Sequence, residues 1–389
     1  MSATDNSSIR VAIVVTRVRE LSARWYVRQL TEVTDHQIEV IYSDDHSDSV
    51  SIAAAIRELA RYENLNHLLV KWPASHEMAQ AILDVGSELH IPTVLLRERL
   101  VRCRRIVIAT GGGANAIDLM WLAHRLSSTQ NLPVKVLRLR STRGDNAAHD
   151  DDDQTGHKLE QMLTQIVRLS AEIETIYTDD PVTALADKLV DGDSLLMGAP
   201  SPLRVATSFH DSLPALMTER VNNTLIMMNR GSARQPDLHR LLWGGLAAPA
   251  LKAANKREAI ELLVDNLVSH NQIPESHREM FVEQAMQRER MMPSAVGSQA
   301  AFPHVRLHDF AGVAASFGVF PEGVDFGSPD KSKTNFVCFM VSPHGFYEDY
   351  LAVLAMLARQ VVVPEVRKAL MQATTSGEIV AALASGGEI

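Results

Sequence analysis

Two stretches decide how this chain is built: HLLVKWPASHEMAQAILDVGSELHIPTVLL, residues 67–96, and SLLMGAPSPLRVATSFHDSLPALMTERVNNTLIMM, residues 194–228. Each reads as an apolar run of strand length, a turn with Pro and Ser, a helical stretch and a second apolar run. Strands alternating with helices predict a parallel sheet with crossover connections. The same grammar used twice predicts a tandem repeat.

Upstream of the first stretch, RVAIVVT (Arg10–Thr16) and IEVIY (Ile38–Tyr42) read as further strands. Helices are expected near Leu21–Leu30, over SIAAAIRELARY and over HEMAQAILDVGSEL. The second copy is longer. RIVIAT, VKVLRL, IETIY, SLLMG and TLIMM supply its strands, with helices between them. Leu119, Leu122, Ala123 and Leu126 mark one helix face, and Asp180 before Pro181 is an N-cap followed by a first-turn proline. Between them STRGDNAAHDDDDQTGH, from Ser141 to His157, reads as a long solvated acidic loop.

A third segment follows the linker-like SARQPD. Asn255 and Glu258 have capping-box spacing, and Ile260, Leu263, Val264 and Leu267 form the stripe of the helix behind them. Strands VAASFGVF and FVCFMVS come next, then helices around YLAVLAMLARQ and PEVRKALMQA. The expected domains are residues 1–100, 101–230 and 231–389. With 389 residues the chain is too long for one ordinary domain.

The net charge of −9 makes a poor match to a nucleic-acid backbone or an anionic membrane. Cys103 and Cys338 are the only cysteines, so no disulfide framework is indicated, which fits a reducing cytoplasm. The N-terminus shows no signal pattern, and no apolar run approaches the ~20 residues a membrane helix needs, so no direct membrane insertion is expected.

Chemistry is concentrated in SQAAFPHVRLHDF, Ser298–Phe310. His304 after Pro303 has three readings: a phosphoryl-accepting nucleophile, a loop histidine with no role, or a metal ligand with His308. The last needs a helix to bring the pair together, and the flanking residues argue for a loop. Elsewhere, TGGGAN places Gly111 and Gly112 after a strand. That is a weak phosphate-loop signal or simply the turn into a helix.

The flanks of His304 resemble a known family. RERMMPSAVGSQAAFPHVR is similar to the block before the phosphorylated histidine in phosphotransferase-system enzyme IIA domains of the fructose, mannitol and nitrogen-regulatory class. Arg288 and Glu289 match its Arg-Glu pair, Ser294 a loop hydroxyl, and Ala301, Pro303 and His304 the core. VDFGSPD, LAMLAR and PEVRKAL match later motifs. The resemblance implies an α/β domain with a mixed sheet, a phosphoryl group received on His304, and Arg288 and Ser294 as donors to it. No metal is then required. Many members carry a second histidine where this chain has Tyr350, which can donate a hydrogen bond but not carry the positive charge.

Residues 1–230 resemble two tandem universal stress proteins, which implies parallel-sheet α/β sandwiches. Nucleotide-binding members have a glycine motif between the last two strands. Here Gly198 and Ser212 fit, while Ser201 and Asp211 stand where glycines are usual. An adenine nucleotide is therefore expected in the second copy alone, if in either. The combined reading is a cytoplasmic regulatory protein whose partner is a phosphocarrier protein (HPr-like) or a regulated protein such as a transporter. The alternative is a sensor or scaffold without phosphotransfer. Pairing of a sheet edge in a homodimer stays open.

Overall fold

Apolar runs, rich in Val, Ile and Leu in the first sheet and in Phe and Val along the two long strands of the second, build two separate sheets in the computed structural model. It describes residues 10–15, 23–24, 38–42, 48–62, 65–73, 75–98, 102–111, 115–142, 146–199, 209–229, 237–307, 310, 313–343 and 347–385. The helix expected near Leu21–Leu30 lies outside them except at Ala23 and Arg24. The chain divides into two compact units, Met1–His149 with Val167–Arg234, and Asp150–Ile166 with Gln235–Ile389.

The first unit begins β1 (Arg10–Val15), β2 (Ile38–Tyr42), α1 (Ser49–Tyr62), β3 (Leu65–Lys71), α2 (His76–Glu88) and β4 (Thr93–Arg97). The second copy follows in sequence as β5 (Arg105–Thr110), α3 (Ala116–Gln130), β6 (Val134–Arg140), α4 (Asn146–Val167, of which Asp150–Ile166 belong to the second unit), β7 (Glu172–Tyr177), α5 (Pro181–Lys188), β8 (Asp193–Gly198), α6 (Leu213–Arg220) and β9 (Thr224–Asn229). These strands form one nine-stranded sheet, β2-β1-β3-β4-β9-β8-β5-β6-β7. Its two ends repeat the same order, with four strands of the first copy and five of the second among the described residues. All pairings are parallel except β4 with β9, where Leu95 faces Met227. The final strands of the two copies thus pair antiparallel to each other.

The copies also share side-chain packing. Phe209, from the second copy, lies buried in the first copy's core, 5.9 Å ring to ring from Trp72. Arg97 reaches from β4 to the C-terminal end of α6, donating to the Thr218 and Val221 carbonyls at 2.7 and 3.1 Å. A cation there satisfies carbonyls the helix leaves open. Asp180 caps α5 as expected, accepting from the Thr183 amide at 3.1 Å.

The acidic stretch corrects the sequence reading. It is helical from Asn146 onward, not a loop. Its four aspartates, Asp150–Asp153, follow the first turn of α4. A structureless connection of that length would itself be unusual in a folded unit.

The second unit contains α7 (Leu238–Leu241), β10 (Ala247–Ala248), α8 (Lys256–Ser269), α9 (Arg278–Met291), β11 (Ala295–Gly297), β12 (Ala300–Ala301), β13 (His304–Leu307), β14 (Ala314–Val324) and β15 (Thr334–Pro343). Helices α10 (Tyr347–Val361), α11 (Pro364–Gln372) and α12 (Ser376–Ser385) end it. Its sheet is mixed: β14 and β15 are antiparallel, whereas β10 runs parallel to β14 and β12 and β13 run parallel to β15. Phe317, Phe336 and Phe339 are fully buried. Phe339 shares the face of Ser316 and Gly318, which the Ile260, Leu263, Val264 and Leu267 stripe of α8 covers, and Phe317 and Phe336 point to the other face. Asn255 caps α8 through the Glu258 amide at 3.1 Å, and Glu258 answers by accepting from the Ala254 amide at 2.8 Å.

Candidate functional site

His304 is placed by a short hairpin that its own residues strain. After α9 the chain turns at Met292 and Pro293, enters β11, and reverses through Gly297, Ser298 and Gln299. All three have positive φ, 82°, 50° and 62°. Glycine takes that conformation freely, but the other two cost about 1–2 kcal/mol each. Hydrogen bonds hold them there. Asp330 accepts from the Ser298 amide at 3.1 Å, and the Gln299 carbonyl accepts from the Asn335 and Phe336 amides at 2.9 and 3.0 Å.

Asp330 is itself anchored by the Ser328 hydroxyl at 2.6 Å and by the Ser332 hydroxyl and amide at 2.6 and 3.0 Å. Burial works against its charge, but these donors outweigh it and hold the carboxyl down to about 2. A carboxyl depressed on folding stabilises the native state above its ordinary value near ~4, and that contribution fades as pH falls towards 2. Asp330→Ala is expected to cost about 1–3 kcal/mol at pH 7, after allowance for solvent screening. The cost should shrink towards pH 2. Chemical denaturation at pH 7, 4 and 2.5 checks both; a pH-independent cost would refute the clamp.

The hairpin delivers the chain to the edge of β15. Ala301 faces Val337 and His304 faces Met340, so the register is the same on both sides of Phe302–Pro303. One edge strand is interrupted there because Pro303 has no N–H to offer and the Phe302 amide turns to the Ser294 carbonyl at 3.1 Å. The Pro303 carbonyl still accepts from Met340 at 3.0 Å. The expected Pro-His loop is therefore corrected: His304 opens a paired strand. His308, its supposed metal partner, lies outside the described residues.

The imidazole is half-buried. Its Nδ1 lies 3.0 Å from the Phe302 carbonyl. A carbonyl only accepts, so Nδ1 carries the proton and Nε2 holds the lone pair. Nε2 is enclosed in this conformation. The ring packs on Tyr350, with centroids 4.7 Å apart and planes at 50°. Tyr350, 3% exposed in the first turn of α10, also lies under the Arg306 guanidinium, 5.4 Å from ring centroid to carbon.

The other expected site residues lie at the start of this hairpin. Arg288 is half-buried in the last turn of α9, the helix that packs against β13. Glu289 beside it is buried. Burial pushes its carboxyl up, opposed by the nearby Ser294 hydroxyl and by the Ser294 amide, which donates to it at 3.3 Å. The Ser294 hydroxyl is enclosed near that carboxylate but outside hydrogen-bond geometry. Residue reading alone gave no role to Arg306 or Asp330. Arg306 was signalled by its place two residues from His304, and Asp330 by its place at the end of VDFGSPD.

Of the expected nucleotide residues, Gly198 and Gly111 stand at the ends of the neighbouring parallel strands β8 and β5. Gly198 ends β8, beside the end of β5, and a Cβ there would lie 3.0 Å from that of Asn115. Asn115 spans this gap, donating to the Ala199 carbonyl at 3.3 Å. Ser212 is the N-cap of α6, with its hydroxyl donating to the Phe209 carbonyl at 2.6 Å and accepting from the Ala215 amide at 3.4 Å. Gly111 is exposed just after β5. Gly112 and Ser201 lie outside the described residues.

Comparison with known proteins bears out the resemblance at the C-terminal end. Residues 246–386 match the family model for the phosphoenolpyruvate-dependent sugar phosphotransferase system, EIIA 2. A nitrogen regulatory protein of Bradyrhizobium diazoefficiens is 29% identical over 136 residues, 35% of this chain and 87% of its own. The fructose-specific EIIA component of Haloferax volcanii is 27% identical over 120 residues, 31% of this chain and 77% of its own. A universal stress protein of Archaeoglobus fulgidus superposes on 57% of this chain and 96% of its own, with TM-score 0.35 and 12% identity. No helix among the described residues is long and apolar enough to cross a membrane.

Proposed function

We propose that the C-terminal unit accepts a phosphoryl group on His304 Nε2 from a phosphohistidine of a carrier protein, and that this state regulates a partner in the cytoplasm. The observation that carries the reading is the Nδ1–H···O=C bond to Phe302 at 3.0 Å. It presents Nε2 as the nucleophile without a separate base. In the transfer the donor P–N bond breaks, and its electron pair stays on the donor imidazole. The Nε2 lone pair forms the new P–N bond. No proton need move, and the positive charge that develops on the ring is shared with the Phe302 carbonyl. Because Nε2 is enclosed, a covering side chain has to swing aside before transfer.

Two added negative charges on a sheet edge would make or break a docking surface, which suits regulation. The relatives' printed names, a nitrogen regulatory protein and a fructose-specific component, support the phosphotransferase context. A second reading, a scaffold that receives no phosphoryl group, is favoured by the enclosed Nε2. Incubation of the full chain with a phosphorylated phosphocarrier protein separates the two. Acid-labile, alkali-stable label near one phosphate per chain is expected; none, under conditions that label a known acceptor, would leave the scaffold reading standing.

A further inference from the structure

Where a second imidazole is usual, this chain has a phenol, and the phenol ring touches both His304 and a cation. We propose that Arg306 supplies the positive charge that receives the phosphoryl group at His304, and that the Tyr350 ring is the platform that aims it. The inference rests on the reading of His304 as the acceptor.

Three observations carry it. Arg306 follows His304 by two residues on β13, and alternate strand residues project from the same face. Register with β15 fixes that face: His304 is opposite Met340 and Arg306 opposite Ser342. The Arg306 guanidinium lies 5.4 Å from the Tyr350 centroid, within the range of a cation–π contact, while the His304 ring is 4.7 Å from the same centroid. Tyr350 is 3% exposed, so its ring is a fixed support rather than a mobile one.

The chemistry follows from the fork of the guanidinium. Its N–H donors match the oxygens of a phosphoryl group in pairs, and it is a permanent cation. As the donor P–N bond opens, charge spreads over those oxygens, and a cation aimed at them stabilises that state more than the ground state. A second imidazole would provide the charge directly. Here Tyr350 acts as a positioning residue and Arg306 as the charge. The contribution of Tyr350 then comes from its ring face, not its hydroxyl.

The test labels the full chain with phosphoramidate, a small donor that needs no docking surface, and in parallel with phosphorylated phosphocarrier protein. The readout is the rate of acid-labile phosphate incorporation. Arg306→Gln is expected to slow labelling from both donors about 100-fold, the low end for loss of one transition-state donor. Arg306→Lys should recover part of that rate, and it keeps the test open if the glutamine variant fails to fold. Tyr350→Leu should fall to the Arg306→Gln level, whereas Tyr350→Phe should fall far less. In a Tyr350→His background, where an imidazole carries the charge, the further loss on Arg306→Gln should shrink. Labelling of Arg306→Gln at the wild-type rate by either donor overturns the inference, as does an equal fall in Tyr350→Phe and Tyr350→Leu. A wild-type chain that neither donor labels defeats the His304 reading instead.

Discussion

Replacing His304 by alanine is expected to reduce acid-labile phosphate incorporation to background while leaving the second unit folded. The loss should be complete because the bond being formed is to the imidazole itself. Other histidines are poorly suited to replace it. His270, for example, has carbonyl oxygens at 2.7 Å from Nδ1 and 2.8 Å from Nε2, so its ring serves to hold the Gly244 turn and the end of α8. The stability cost should be modest. Alanine at 304 removes one hydrogen bond to Phe302 and one ring contact with Tyr350, together about 1–3 kcal/mol. The Phe336 and Phe339 core beneath is untouched. Labelling by phosphorylated carrier, with denaturation run beside it, separates loss of chemistry from loss of fold. Label that persists in His304→Ala at wild-type yield would move the acceptor elsewhere.

The parts of the fold that periodicity and capping encode were readable in advance. Arg10–Val15 and Thr224–Asn229 are apolar runs, and strands are what such runs make when buried on both faces. Ile38–Tyr42 is a shorter run at the sheet edge. Asp180 and Asn255 announce their helices because a short polar side chain can reach the amide three residues on. The acidic stretch reads as a loop because Asp is a poor helix former and consecutive like charges repel, yet it lies within a helix. Helix α12 was passed over although Thr375 and Glu378 have reciprocal capping spacing, with bonds of 3.2 and 3.3 Å; Gly377 between them weakens the local signal.

The candidate site divides in the same way. His304, Arg288 and Ser294 stand within one contiguous motif, and a motif can be read along a line. Tyr350 over His304, Arg306 over Tyr350 and Asp330 under Ser298 each need a pairing between segments tens of residues apart. Only β15 brings β13 beside its edge, and only then does the spacing of His304 and Arg306 become a shared face. Propensity says nothing about such juxtaposition, because register is settled by which strand becomes whose neighbour.

The tandem copies yield the second large effect. Leu95→Ala is expected to destabilise the whole first unit by about 2–5 kcal/mol, not only the copy that contains it. Leu95 is fully buried and faces Met227 across β4–β9, the antiparallel seam between the copies. The cavity would open into a core to which both contribute, since Phe209, Ala215 and Met227 of the second copy pack with Leu68, Ile82 and Leu95 of the first. Arg97, two residues on, ties the same strand to the end of α6. If seam and core join the copies into one cooperative structure, a loss at Leu95 lowers the opening free energy of every strand by a similar amount. Native-state hydrogen exchange should then show amides of β3 and of β8 losing protection in parallel, although β8 does not touch the mutated strand. Loss confined to β1–β4 would mean that the copies unfold separately. The first copy would then have to be stable on its own sheet, which has four strands among the described residues. A small sheet buries little apolar surface, and the antiparallel join to β9 supplies the neighbour that β4 would lack alone.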